Sequence, residues 1–191
     1  MTAMRALFPL VLMASLACSS SCLPTRTNPD TPAITTEQGA RDLYAVTVRI
    51  QVDCIGGGGG WGSGVLVSPR HVLTAKHVVA ACSPFEPWKV TVETHTGAKV
   101  EAVVEKLHEH VDAARLVVIG VGEPFRAWAR VAPWGPEDGQ WICFSAHDIH
   151  TYLFQCGYVT HVDSVGLFQL GFRVVRGNSG RPIFRNGQLL G

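Results

Sequence analysis

Three short stretches of this sequence carry side chains that could do chemistry together: Leu73-Thr74-Ala75-Lys76-His77-Val78-Val79, Val111-Asp112-Ala113-Ala114-Arg115-Leu116 and Gly177-Asn178-Ser179-Gly180. A serine hydroxyl is a poor nucleophile at neutral pH. It needs an imidazole to take its proton, and a buried carboxylate to fix that imidazole's tautomer and stabilise its charged form. His77, Asp112 and Ser179 supply one group of each kind. Gly177 and Gly180 let backbone amides approach a developing oxyanion without side-chain clashes. The amides of Gly177 and Ser179 are the expected oxyanion hole.

Two other clusters invite chemistry and carry less of it. His108, Glu109 and His110 precede Asp112, and alternating histidines on a strand would share a face. The string is not His-Glu-x-x-His, so a zincin is unsupported and a solvated loop before a strand is expected. The run Gly56 to Gly60 lacks a following Gly-Lys-Ser/Thr, so a flexible loop is expected there rather than a phosphate cradle, with Trp61 as a packing anchor. No metal and no cofactor are expected.

The elements that must position these residues are mostly strands. From Leu43 onward, Val46, Val48, Ile50 and Val52 share one parity against Thr47, Arg49, Gln51 and Asp53, the alternation of a half-buried strand. Further β-rich runs fall at 64–68, 72–74, 89–93, 98–105 and 115–119, bounded by Gly, Pro or charged turns. Only residues from Ala75 to about Ala81 read as helical. The density of Gly and Pro over 121–135 marks a connection. A second β set follows at 141–145, 152–160, 167–175 and 182–184, ending in an Asn186-Gly187 turn.

The chain's 191 residues, 47% of them hydrophobic and 16% charged, can bury one compact core or two small ones. A net charge of +1, spread without clusters, leaves no footprint for nucleic acid. Residues 1–17 read as an export signal, with Arg5 before an apolar run and Ser15-Leu16-Ala17 before Cys18. Residues 18–40, rich in Ser, Thr and Pro, read as a flexible tether. Cys18 stands where a bacterial lipoprotein carries its lipid, so two destinations stay open: attachment to a membrane through Cys18, or plain secretion. An oxidising compartment permits disulfides. Setting aside Cys18 and Cys22, the remaining Cys54, Cys82, Cys143 and Cys156 allow three pairings, of which their order along the sequence favours Cys54 with Cys82 and Cys143 with Cys156.

Gly62-Ser63-Gly64-Val65-Leu66-Val67 followed by Val72-Leu73-Thr74-Ala75-Lys76-His77 resembles the first-barrel signature of trypsin-like serine proteases. Asp112-Ala113-Ala114-Arg115-Leu116 is similar to the family's Asp-x-Ala-(apolar)-Leu, and Gly177-Asn178-Ser179-Gly180-Arg181-Pro182 to its Gly-(Asp/Asn)-Ser-Gly-Gly-Pro. Thirty-five residues separate His77 from Asp112 and sixty-seven separate Asp112 from Ser179, spacings suited to compact bacterial members. The resemblance covers roughly residues 43–191.

It implies an all-β, chymotrypsin-like fold of two antiparallel six-stranded-type barrels, the first over 41–120 and the second over 136–191, with the site between them. It also implies serine endopeptidase activity on polypeptides through an acyl-enzyme: Ser179 attacks, His77 relays the proton and Asp112 orients His77. Cys54 and Cys82 bracket His77 as a disulfide does in many relatives, and closing that loop would add about 3–4 kcal/mol.

The departures are specific. Asn178 stands where digestive members place the Asp that pairs with a newly cut N-terminus, so activation by that route is not expected. Arg181 and Lys76 replace smaller residues. Arg173 and Arg176 lie where relatives place pocket residues and hint at acidic substrate side chains. Twelve residues follow Ser179, fewer than the family's second barrel needs, so that barrel is expected to be incomplete and the sequence to be truncated at its C-terminal end. An alternative reading follows from this and from Cys18: a weakly active or inactive surface lipoprotein that uses the protease fold as a binding module. Oligomeric state is left open by the sequence.

Overall fold

The computed structural model describes residues 36–82, 88–120, 125–147, 151–164, 167–171 and 177–191. Helix α1, Thr36–Val46, leads into β1, Thr47–Cys54. Then come β2, Gly59–Leu66, β3, His71–Thr74, and the one-turn helix α2, Lys76–Val79. Strands β4, Trp88–Thr94, β5, Lys99–Leu107, and β6, Ala114–Val118, complete the first half. The six strands close into an antiparallel barrel in the order β1-β2-β3-β6-β5-β4.

Alternation explains how the barrel fills. Val48, Ile50 and Val52 of β1 point inward at 1% exposure or less. Each such side chain contributes about 1.5–3 kcal/mol on burial. They pack with Leu66, Val72, Val90, Val92, Leu116 and Val118, apolar residues from the other inward faces.

Two local expectations differ from what forms. The strand starts at Thr47, and the residues before it are helical, including the last five of the expected tether. Leu43 and Val46 stand three apart, a helical spacing, and both are buried against Val65, Ala129, Phe184 and Leu189. The Thr47 hydroxyl donates to the Leu43 carbonyl at 2.7 Å, where the helix hands over to the strand. The glycine run is not all loop either, because Gly59 and Gly60 already pair with Asp53 and Val52. A Cβ on Gly59 would lie 2.1 Å from the Val52 carbonyl oxygen, and one on Gly60 would lie 2.9 Å from Ala81 Cβ. Close approach of backbones, rather than flexibility, requires glycine there.

The second half comprises β7, Arg130–Val131, β8, Trp141–His147, β9, Tyr152–Val162, β10, Phe168–Leu170, β11, Ile183–Arg185, and β12, Gln188–Leu189. They form one sheet in the order β10-β9-β8-β11-β12-β7, a partial counterpart of the first barrel. The β12–β7 pair is parallel, against the expected all-antiparallel arrangement, and β7 comes from the segment read as a linker. Asn186 and Gly187 both adopt positive φ, 50° and 76°, the geometry of a two-residue hairpin turn joining β11 to β12. Ile142, Phe144 and Ala146 of β8 form a core with Val159 and Ile183.

Two disulfides are present, Cys54–Cys82 and Cys143–Cys156. The first joins the end of β1 to the segment after α2, and the second joins directly opposed residues of β8 and β9. No helix among the described residues is long and apolar enough to cross a membrane.

Candidate active site

Helix α2 is a single turn, and its N-cap residue, Ala75, has no side-chain acceptor for the first free amides. Those amides need a partner. Asp112 supplies it from the loop between β5 and β6: its Oδ1 accepts the His77 backbone N–H at 2.9 Å. Its Oδ2 faces His77 Nδ1 at 2.5 Å. One carboxylate therefore caps the helix and holds the ring that the helix presents. Val78 and Val79, both buried, anchor α2 in the barrel. On the other side, Ala114 and Leu116 anchor β6, which begins two residues beyond Asp112.

Desolvation pushes the Asp112 carboxyl pKa upward, yet the bonds from the His77 ring and from the His77 and Lys76 amides outweigh it, aided by the His77 charge. The net result is a value below the ordinary one. The expected burial of this carboxylate does not hold: the side chain is 54% exposed, and that of His77 57%. Both sit on the rim of the barrel, where the loop and the short helix leave it, so hydrogen bonding rather than seclusion orients the pair.

Ser179 lies on a turn that docks against β2. Ser63 N–H donates to the Ser179 carbonyl at 2.8 Å, and Ser63 Oγ donates to the Gly177 carbonyl at 2.8 Å. The same Oγ accepts the His147 N–H at 2.9 Å, and Thr74 Oγ1 donates to the Ser63 carbonyl at 2.7 Å. Ser63 is wholly buried and thereby ties β2, the end of β3, the end of β8 and the Ser179 turn into one network.

Glycines let these pieces touch. Gly177 has φ of 88°, and a Cβ on it would fall 1.9 Å from the Trp61 ring. Gly180 has φ of 75°, and a Cβ there would fall 2.3 Å from the Ser63 carbonyl oxygen and 2.8 Å from the Ala75 nitrogen. A Cβ on Gly62 would meet Val78 Cγ2 at 2.7 Å and the Ser179 carbonyl oxygen at 2.8 Å. The backbone at Gly62 is thus the common floor under the neighbour of His77 and under Ser179. The Asp112-bound helix α2 and the turn bearing Gly177 and Ser179 both lie against β2 at Gly62; no hydrogen bond joins His77 to Ser179 among the described residues. Such a grouping can pair a hydroxyl nucleophile with an oriented imidazole.

Arg173, Arg176 and Cys18 lie outside the described residues. Among the described residues no group of three or more His, Cys, Asp or Glu is arranged to hold a metal ion. His108 instead turns Nδ1 toward the amides of His110 and Val111. Arg181 lays its guanidinium over the Phe144 ring, 3.9 Å from the centroid. Burial lowers its pKa to about 10. Sequence reasoning read Ser63 only as part of the first-barrel signature and missed its bonding role. The signal was a small polar residue between two glycines on a strand that leads straight into a core.

Residues 62–191 match the family described as the trypsin-like peptidase domain. No curated protein sequence matches the chain. Among solved structures it is similar to the serine endoprotease from Yersinia pestis, with a TM-score of 0.68 and 20% identity over 82% of this chain and 56% of that one. The chain thus spans little more than half the length of that protein, and at this identity the likeness is one of fold.

Proposed function

Because the chain belongs to the trypsin-like peptidase domain family, we propose that it is a serine endopeptidase in which Ser179, His77 and Asp112 form the catalytic triad. The observation that carries this reading is the paired engagement of Asp112 with the ring and the backbone N–H of His77, beside a glycine-flanked serine held on the same barrel edge. With Nδ1 directed at the carboxylate, the opposite ring nitrogen, Nε2, is the one able to take the Ser179 proton.

Ser179 Oγ attacks the carbonyl carbon of a peptide bond while His77 accepts the hydroxyl proton. The tetrahedral oxyanion is received by the amides of Gly177 and Ser179. His77 then protonates the leaving amine, the acyl-enzyme forms, and a water deprotonated by His77 releases the acid and restores Ser179. Asp112 keeps one ring tautomer and balances the imidazolium charge. The substrate is a polypeptide. Arg173 and Arg176 precede the nucleophile closely enough to serve as anchors for acidic side chains, and the N-terminal pattern fits export, with lipid attachment at Cys18 or free secretion.

Labelling with a fluorophosphonate probe tests the nucleophile. Labelling of the chain that disappears in Ser179→Ala supports it. Failure of the folded chain to label at neutral or mildly alkaline pH would overturn it and leave the binding-module reading.

A further inference from the structure

Lys76 and His108 are two residues that the proposed chemistry leaves unused, and the structure joins them beside Asp112. Lys76 Nζ donates to the His108 carbonyl at 3.1 Å, from helix α2 to the loop that carries the carboxylate. Within that loop the amides of His110 and Val111 both point at His108 Nδ1, each at 3.3 Å. His108 N–H closes the turn on the Ala113 carbonyl at 2.9 Å, and Ala113 N–H on that of Val111 at 2.8 Å. Asp112 is therefore the exposed corner of a turn folded around one imidazole nitrogen. The loop and the helix hold each other in both directions, the carboxylate on the helix amide and the ammonium on the loop carbonyl.

We propose that Lys76 and His108 form a latch that positions Asp112 against His77, and that the latch holds only while His108 is neutral. The inference rests on the triad reading for its catalytic consequence and on geometry alone for the latch. An imidazole nitrogen receiving two N–H groups must present its lone pair, so the ring proton of neutral His108 resides on Nε2. Protonation places an N–H where two N–H groups already point, and the turn loses its central acceptor. The titratable groups set around this turn are the Lys76 ammonium and the His77 ring on α2 and, on the loop itself, Glu109, His110 and Asp112; the His110 ring lies 6.3 Å from that of His108 and the Glu109 carboxylate lies 3.9 Å from His110 Nε2. Both residues act through Asp112 and are positioning residues.

Three variants of the whole chain test this. His108→Asn keeps a side-chain acceptor for amides two and three residues on, at any pH. His108→Ala removes the acceptor, and Lys76→Met keeps the stem without the donor. In the unaltered protein, protection of the His110 and Val111 amides, taken against the intrinsic exchange rate at each pH, is expected to fall about five- to tenfold as His108 becomes charged, the size set by losing a modest hydrogen bond. In His108→Asn it should not fall, and in His108→Ala it should be low throughout. Ring nitrogen NMR should find His77 mostly as the Nδ1–H tautomer, with the Nε2–H form gaining in Lys76→Met. The Ser179 labelling rate should fall on the acid side more steeply than one ionisation allows, return to single-ionisation steepness in His108→Asn, and drop about five- to tenfold at all pH in Lys76→Met.

Equal protection of His110 and Val111 in the unaltered protein and in His108→Ala on the alkaline side, where the latch should hold, would overturn it. So would an unchanged His77 tautomer in Lys76→Met, or identical acid limbs with and without His108. Should the unaltered protein fail to label at all, the triad reading falls, while amide exchange and the His77 tautomer still decide the latch.

Discussion

Ser63→Ala and Ser145→Ala remove the same atom from two equally buried sites, and the structure predicts opposite outcomes. Both residues show no exposed surface. Ser63 Oγ donates to the Gly177 carbonyl and accepts the His147 N–H. Its removal loses two buried hydrogen bonds and strands a carbonyl and an amide in the interior, each worth about 1–3 kcal/mol when no water replaces the partner. Partial relaxation brings the expected loss to about 2–4 kcal/mol, a fall in midpoint temperature of about 6–12 °C for a chain of this size. Ser145 Oγ is buried without a hydrogen-bond partner. Deleting it should leave stability unchanged or raise it by up to about 1 kcal/mol, because an unsatisfied hydroxyl is costly to bury. Thermal and urea melts of the two variants beside the unaltered protein measure the difference. The Ser179 labelling rate should fall in Ser63→Ala alone, since of the two hydroxyls only that of Ser63 bonds to the Ser179 turn. If the two variants melt within about 1 °C of each other, the argument that partnership rather than burial sets the cost is wrong.

The remaining predictions concern charge, covalent closure and close approach. The Asp112 pKa is depressed in the folded state, so its bonds add stability that is complete above the ordinary carboxylate value near 4 and is lost as pH falls through the lower folded value. Urea midpoints of Asp112→Asn between about pH 2 and 5 should therefore vary less than those of the unaltered protein, and a parallel pair of curves would count against the depressed pKa. Replacing Cys54 and Cys82 together by Ser opens a loop spanning 28 residues and should cost about 3–4 kcal/mol by chain entropy. The Cys143 and Cys156 pair, 13 apart, should cost about 0.7 kcal/mol less on the same scaling; a reversed order in urea melts would show that strain or contacts dominate. Gly177→Ala puts a methyl group into the Trp61 ring at a positive φ. It should abolish labelling of Ser179, while Gly177→Ala with Trp61→Ala recovers part of the lost stability through relief of the clash; strictly additive melts would refute that contact.

Much of the first barrel was legible because its signals are local. The parity of Val48, Ile50 and Val52 needs no knowledge of distant segments, and all three are buried. The Asn186-Gly187 turn reads the same way, since its two positive φ values are a property of those residue types. Helix α1 was hidden because Val46 and Val48 continue the alternation of β1 back across a helix boundary. Only the packing of Leu43 and Val46 against Phe184 and Leu189, far along the sequence, settles the boundary. The parallel contact of β7 with β12 was equally illegible: two residues carry no period.

By itself the sequence determined which residue types meet, in what order and with what local geometry: the alternating strands, the glycine positions and the histidine, aspartate and serine motifs that mark the family. The tertiary structure decided how they are held. The bond from Ser63 to Gly177 spans 114 residues, and the bonds from His77 to Asp112 and from Lys76 to His108 span 35 and 32. Nothing local encodes such pairs. They depend on barrel closure, which brings separate strand ends to one rim, and on the burial that leaves each polar group there in need of a particular partner.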